Sequence, residues 1–569
     1  MASRILKTLR AWIFPFTMFV SVDAQAGSLT LVRDIDPSGS STPSMLEAVN
    51  GALYFRADDG VAGVEPWRSD GTEEGTVLVK DVHAGTQGSY CNAFTSRDHE
   101  TIYFAADNGA FGSELWVSEE NESNTFLLKD INLGLPSSWP GSSRPFTEFG
   151  SEHYFVAYTN AAGYELWKTD GTANGTVLLK DINPGPEESS PFQQKTVNGV
   201  LFFRADNGVA VPNQELWMTD GTEAGTVMVK EIHPTGASYP NSLTEFGGQL
   251  FFTADDGVHG EELWKSDGTP AGTIMVKDIR PSGSSTPAQL RILNGVLYFV
   301  ANDGVNGTEL WRSDGTEVGT QMAFDLNPSG SFTFGWLTPS GNYLYFMKPD
   351  GGLSAQLWRT DGTLGGTVML RDFNPTTYHH MLENLTDVNG TLFFTVNDGV
   401  TGVELWKSDG TIEGTVLAAD VRPGDPWSFS WPMELTNVNG ILYFSADDGV
   451  HGRELWSYDN QTSTDVPNVS NDAATSSALV LHANVPNPFQ LATHLSFDLA
   501  KASSVRVQIY DGAGRLVRDL SPEGVLPPGL HRVLWDGRDH EGRTTGAGVF
   551  AYRVQAGEHS ESKLMIRVR

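Results

Sequence analysis

The chain has 569 residues, a formal net charge of −33, 61 glycines and a single cysteine. One cysteine excludes an internal disulfide, so the fold rests on packing and hydrogen bonds. The charge is uneven: residues 27–478 carry 23 Lys+Arg against 60 Asp+Glu, a net −37, and residues 479–569 carry 11 against 9. An array that acidic excludes nucleic acid and anionic lipid as its ligands, while permitting divalent cations or basic partners.

Residues 1–26 read as a secretory signal. Arg4, Lys7 and Arg10 form the charged start, Ala11 to Val22 the apolar stretch, and Ala24-Gln25-Ala26 a small-x-small cleavage site. The apolar run is short for a bilayer span and contains Pro15, which favours removal over anchoring. No later segment reads as transmembrane.

A predicted strand, Leu29 to Ile35, follows at once. Nine copies of one unit come next, marked by Trp67, Trp116, Trp167, Trp217, Trp264, Trp311, Trp358, Trp406 and Trp456, at spacings of 47 to 51 residues. The fifth unit is the clearest. Asn241–Phe246, Gln249–Ala254, Glu261–Ser266 and Thr273–Ile279 alternate as strands, separated by Gly247-Gly248, Asp255-Asp256-Gly257 and Asp267-Gly268 turns. Four antiparallel strands in about 48 residues is the size of a propeller blade. The ninth unit lacks a fourth strand, and the segment after the signal matches that pattern. The expected fold is therefore an all-β propeller of about nine four-stranded blades, closed by the N-terminal strand. Counting outward from the Asp267–Gly272 loop predicts that Glu262 faces Lys277, and that Arg33 faces Glu454 in the closing blade.

The repeated residues read as structural. Asp267 and its counterparts form hairpin turns, since one residue present in most units cannot converge on one substrate. One Trp per unit suits packing between blades. Fourth strands run into turns such as Asp34-Ile35-Asp36-Pro37, which resemble the start of a calcium loop. Asp34 and Asp36 are the candidate calcium ligands. Met45 stands where a complete loop needs a bidentate Glu, and Asx-turns account for the pattern without metal; no cofactor is expected. The connections between units carry aromatics that do not repeat. Trp139, Trp336, Tyr378, His379, Trp427 and Trp431 are the candidate ligand-binding residues, for a carbohydrate or protein ligand. Phe332, Phe334 and Phe429 share these connections. Zinc-hydrolase, serine-hydrolase, phosphate-loop and dinucleotide motifs are absent.

With these motifs in view, residues 29 to 457 resemble bacterial secreted proteins carrying Glu-Leu-Trp-x-x-Asp-Gly-Thr repeats, a resemblance that implies no particular activity. The first unit departs from the pattern with Pro66, the second lacks Asp-Gly-Thr, and the seventh has Gln356.

Residues 459–478 are polar and small, a linker between the propeller (27–458) and a last domain (479–569). Six or seven short alternating segments in that last domain predict a small Ig-like sandwich. Asn487-Pro488-Phe489, Trp535-Asp536-Gly537, Gly548 with Tyr552, and Lys563 near the end resemble the C-terminal domains that send cargo through type IX secretion. Those domains look like the Ig-like domain of flagellar hook-capping proteins. The resemblance implies a sorting or anchoring tail with the secretion machinery as its partner. The expected protein is a non-enzymatic binding or display protein, exported through the periplasm to the outer-membrane surface or beyond. A carbohydrate-active propeller enzyme (hydrolase or lyase) and a purely structural adhesin are the alternatives.

Overall fold

The computed structural model describes residues 27–567 except 97–100, 120, 142–145, 210–212, 328–329, 333, 350–354, 374–381, 425–428, 461–478, 482–488, 490–491, 500, 512–514, 523, 528 and 558. The chain divides into two compact units between residues 462 and 463.

Among the described residues, the first unit is a β-propeller built from nine four-stranded antiparallel sheets. Blade 1 comprises Ser44–Val49, Ala52–Asp58, Val64–Ser69 and Val77–Leu78; blade 5 comprises Asn241–Phe246, Gln249–Asp255, Glu261–Ser266 and Ile274–Lys277. In blade 9 the strands Met433–Val438, Ile441–Asp447 and Arg453–Asp459 take Ser28–Arg33 as the fourth. Ser28 pairs with Asp459 and Leu31 with Trp456, so a strand from one end of the unit completes a sheet formed at the other. The first strands of neighbouring blades lie side by side and form the innermost layer. Thr436 Oγ donates to the Leu46 carbonyl at 3.1 Å and Asn439 Nδ2 to the Gly51 carbonyl at 2.9 Å, joining blade 9 to blade 1.

Hydrophobic packing occurs between blades. Phe251, Leu263, Val276 and Ile279 of blade 5 meet Leu290, Leu297, Phe299, Ala301 and Trp311 of blade 6 in one cluster. The interface that closes the ring has the same composition: Val32, Ile35, Tyr443 and Leu455 of blade 9 against Leu46, Leu53, Phe55 and Trp67 of blade 1. The tryptophan of each unit is thus the anchor against the blade before it. Cys91 is fully buried in the blade 1–2 interface.

The predicted register of the outer hairpin is corrected by one residue. Lys277 pairs with Leu263 and Met275 with Trp264, leaving Val276 without an opposite residue. The same bulge sets Lys180 against Leu166, Lys230 against Leu216, and Arg33 against Leu455. The physical reason is burial. The bulge turns Val276 into the interface and frees Glu262 and Lys277 for separate partners. Lys277 Nζ reaches the next blade and donates to the Thr320 carbonyl at 2.8 Å. Lys180 and Lys230 repeat the contact on Thr226 and Thr273, and Arg33 repeats it on Thr76 across the closure.

The second unit is a small β-sandwich. One sheet contains Leu479–Leu481, Thr493–Leu499 and Gly529–Trp535; the other is built around Ser503–Asp511, Gly548–Ala556 and His559–Arg567. Phe497, Val507, Ile509, Trp535, Tyr552 and Met565 fill the space between them. No helix among the described residues is long and apolar enough to cross a membrane.

Candidate functional site

The repeated polar residues build the frame. Asp267 Oδ1 accepts from the Thr269 amide at 2.8 Å and hydroxyl at 2.7 Å, and the Thr269 hydroxyl in turn accepts from the Gly272 amide. Asp70, Asp170, Asp220, Asp314, Asp361 and Asp409 repeat that turn. It is the turn-forming role that a short acceptor side chain before Gly-Thr supplies.

Glu262 has a second structural role. Its carboxylate is fully buried and accepts from the Ile279 amide (3.0 Å), the Ser285 amide (3.0 Å) and the Ser285 hydroxyl (2.6 Å). It thereby ties the third strand to the connection that leads into the next blade. Glu65, Glu114, Glu165, Glu215, Glu404 and Glu454 hold Ser89, Ser138, Ser189, Ser238, Ser430 and Ser41 in the same way. Burial pushes the carboxyls of Glu114, Glu165, Glu309 and Glu404 up to about 7, although their hydrogen-bond donors pull the other way.

Each clamped serine aims its successor. The Ser285 carbonyl accepts from the Asn302 amide of the next blade, and the following residue, Thr286, donates its amide back to the Glu261 carbonyl. This geometry forces a left-handed backbone. Thr42, Tyr90, Trp139, Ser190, Tyr239, Thr286 and Trp431 all sit at φ between 45° and 48°. Such a conformation costs a non-glycine residue about 1 kcal/mol or more, so it persists only where the surroundings dictate it. The frame therefore presents one side chain at a set place on one face in each of these seven connections.

Two of the predicted ligand-binding residues occupy these positions. Trp139 is 44% exposed. Its ring lies 6.1 Å from Tyr158 and 6.5 Å from Tyr164, which are 5.1 Å from each other. Trp431 is half-buried, meets Phe429 edge-on at 5.6 Å, and offers its carbonyl to Arg453. Trp336 is placed differently from the prediction. It is the second residue of the strand Gly335–Ser340, in the innermost layer of blade 7, and is 56% exposed. A bulge with φ 53° at this residue lets a strand residue stand clear of the sheet. Tyr378, His379 and Trp427 lie outside the described residues. Phe332 and Phe334, from the same set of connections, are buried against Phe346 and Trp358.

Asp36 Oδ1 accepts from the Ser38 amide and hydroxyl, forming an Asx-turn. Asp34 lies just past the strand end, and among the described residues no three His, Cys, Asp or Glu side chains converge to hold a metal ion. A cavity of about 390 Å³ on the innermost strands is lined by Leu46, Asn384, Thr386, Met433, Glu434 and Leu435. Beside it, burial and the nearby Glu434 charge raise the Glu47 carboxyl.

In the tail, Phe489 packs edge-on against the fully buried Trp535 at 5.4 Å, and Trp535 Nε1 donates to the Arg538 carbonyl. Asp536 accepts from the Arg538 amide, Gly537 takes φ 68°, and Tyr552 pairs across strands with Lys563. Gly548 opens the strand Gly548–Ala556. These motif residues form the core and corners of the sandwich; Asn487 and Pro488 lie outside the described residues.

Sequence reasoning missed Tyr90, Tyr158, Tyr164 and Tyr239. The signal was there in the aligned units. Tyr158 stands where Asp58, Asp206, Asp255 and Asp447 stand, because the amides of all five bond the carbonyl of a clamped serine.

A family model described as the FlgD Ig-like domain matches residues 486–560, in agreement with the likeness of the tail to the Ig-like domain of flagellar hook-capping proteins. No curated protein matches the sequence. Among solved structures the chain is similar to a prolyl endopeptidase, at 12% identity and a TM-score of 0.36, over 68% of this chain and 55% of the other. A puromycin hydrolase is similar at 14% identity and a TM-score of 0.35, over 74% and 61%. The chain thus spans less than two thirds of the length of these hydrolytic enzymes. PorZ, described as an essential bacterial surface component of the type-IX secretion system of Porphyromonas gingivalis, is similar at 12% identity and a TM-score of 0.26, over 91% and 80%. Likenesses this distant say nothing of activity.

Proposed function

We propose that this is an exported, non-enzymatic protein whose propeller is a binding and display platform at the cell surface or outside the cell. Its C-terminal Ig-like domain directs secretion or surface attachment. One observation carries the reading. The residues that repeat are used up in the frame, Asp in turns, Glu on serines, Trp between blades. The residues that vary are side chains presented on one face, and several are aromatic. A scaffold that holds its geometry constant while varying what it presents suits recognition. The tail's match to the FlgD Ig-like domain supports a module separate from the propeller, and the residues 1–26 pattern supports export.

Mass spectrometry of both termini of the native protein, taken separately from medium, outer membrane and periplasm, tests this. Surface or medium material beginning at Gly27 and ending near Ala478 is the expected result for a removable sorting tail. Intact protein confined to the periplasm would refute the sorting role and leave the sandwich as a structural module.

A further inference from the structure

We propose that the left-handed positions after the clamped serines form a binding face for neutral polysaccharide, with Trp139, Tyr158 and Tyr164 as its principal subsite. This deepens the display reading above and rests on it.

The frame does not require aromatics at these positions, since Thr42, Ser190 and Thr286 occupy three of them in the same conformation. Yet Tyr90, Trp139, Tyr239 and Trp431 occupy the other four described ones, and Tyr90 and Tyr239 are 62% and 49% exposed. Tyr90 and Tyr239, large rings held out on a strained backbone, bury little for the fold. Each aromatic has a fixed neighbour in the next blade, because the residue bonded to the preceding serine carbonyl lies alongside. For Tyr90, Tyr239 and Trp431 that neighbour is an acid: Asp107, Asp255 and Asp447, each with one oxygen on a glycine amide and Asp447 with its other oxygen on Arg422, so Asp107 and Asp255 keep the second oxygen for a ligand. An aromatic face next to a carboxylate acceptor matches the two sides of a pyranose. Its C–H face stacks on a ring, and its equatorial hydroxyls donate to oxygen acceptors.

Blade 3 carries the idea furthest. There the acid is replaced by Tyr158, and Tyr164 stands where the other units have Val64, Ser113, Gln214 or Thr308. Both changes bring rings against Trp139, making a cluster of three rings tilted 30° to 56° to one another that carries two phenol hydroxyls. The class of glycan follows from charge. A net −37 over residues 27–478 repels uronate, sulfate and phosphate polymers. A protein partner is the weaker fit, because the aromatics are interrupted by threonine and serine positions and do not merge into one apolar patch. Repetition around the ring favours a polymer over a single sugar, since several weak subsites add through effective concentration.

The experiment is affinity electrophoresis of the full chain in native gels containing laminarin, galactomannan, dextran or hydroxyethylcellulose, with alginate as the anionic control. Retardation by at least one neutral polymer and none by alginate is expected. Trp139→Ala should weaken retardation roughly tenfold, a loss of about 1.4 kcal/mol. Trp139→Phe should restore most of it, and Val318→Ala, at an exposed residue of an outer-hairpin turn outside these positions, should leave it unchanged, all with wild-type thermal melts. Retardation by alginate alone, by no polymer, or equally by wild type and by the Trp139→Ala and Tyr158→Ala variants would overturn the proposal. Surface-located protein that no polymer retards sinks the glycan site and leaves the display reading standing; protein never exported sinks the display reading.

Discussion

Replacing Glu262 by alanine removes the acceptor of three buried donors, the Ile279 amide, the Ser285 amide and the Ser285 hydroxyl. An unsatisfied buried donor costs about 1–3 kcal/mol. The Ser285 amide already shares the Glu261 carbonyl at 3.1 Å and the hydroxyl can rotate toward it from 3.4 Å, so the Ile279 amide carries most of the loss. With the side-chain volume left empty, a total of about 2–4 kcal/mol follows. Offsetting this, the variant no longer buries an ionisable group, which places the expectation toward the lower end. If residues 27–458 unfold together, an unfolding entropy of about 0.9 kcal/mol/K converts 3 kcal/mol into a fall of only ~3–4 °C. Denaturant titration is therefore the better assay for the global change, and hydrogen exchange for the local one. The amide of Ile279 should exchange about tenfold or more faster, whereas those of distant blades follow the global change alone. Ser285→Ala should cost only about 1.5–3 kcal/mol, because it removes one charge-assisted bond and leaves both amides paired. A Glu262→Ala loss below about 1 kcal/mol, with unchanged exchange at the Ile279 amide, would refute the clamp.

Three further outcomes are expected. The unfolded glutamates ionise near 4.5 and the buried Glu114, Glu165, Glu309 and Glu404 near 7, so the folded state holds more protons between these values. Their contribution is fully present below about pH 4.5 and is lost as pH rises through 7. Melting temperature should accordingly fall from pH 5 to pH 8, less steeply in Glu404→Gln, and a rising profile would contradict the assignment. Lys277→Met should cost about 1 kcal/mol by releasing the Thr320 carbonyl, with little dependence on salt because its partner is neutral; denaturation at low and high salt checks both points. Beginning the chain at Asp34 removes the strand Ser28–Arg33, including the buried Val32, and leaves Arg453–Asp459 as an open edge. Light scattering should then show self-association, and a stable monomer that melts like wild type would be evidence against the closure.

The units are legible along the chain because what defines them is local. Glycine and aspartate turns bound short alternating segments, one tryptophan recurs per unit, and a spare fourth-strand pattern before the first unit, with the ninth unit lacking one, specifies the closure by counting alone. The same holds for the tail, where strand alternation and motif spacing suffice. The register of the outer hairpin was not legible. It depends on Val276 entering an interface with blade 6, on Glu262 finding amides 17 and 23 residues onward, and on Lys277 finding a carbonyl 43 residues onward. Counting outward from a turn assumes an unbroken ladder, and the need to satisfy those distant groups breaks it. The candidate site divides in the same way. Trp139 was visible as an aromatic outside the repeat, but its partners Tyr158 and Tyr164 belong to strands of the next blade and look like ordinary strand residues in sequence. Only the bond from the Tyr158 amide to the Ser138 carbonyl sets those rings side by side. Trp336 shows the converse, a tryptophan read as part of a connection that a backbone bulge makes the second residue of a strand. Repeating local chemistry determines the blade; which side chains meet is decided by contacts between blades, which no single unit contains.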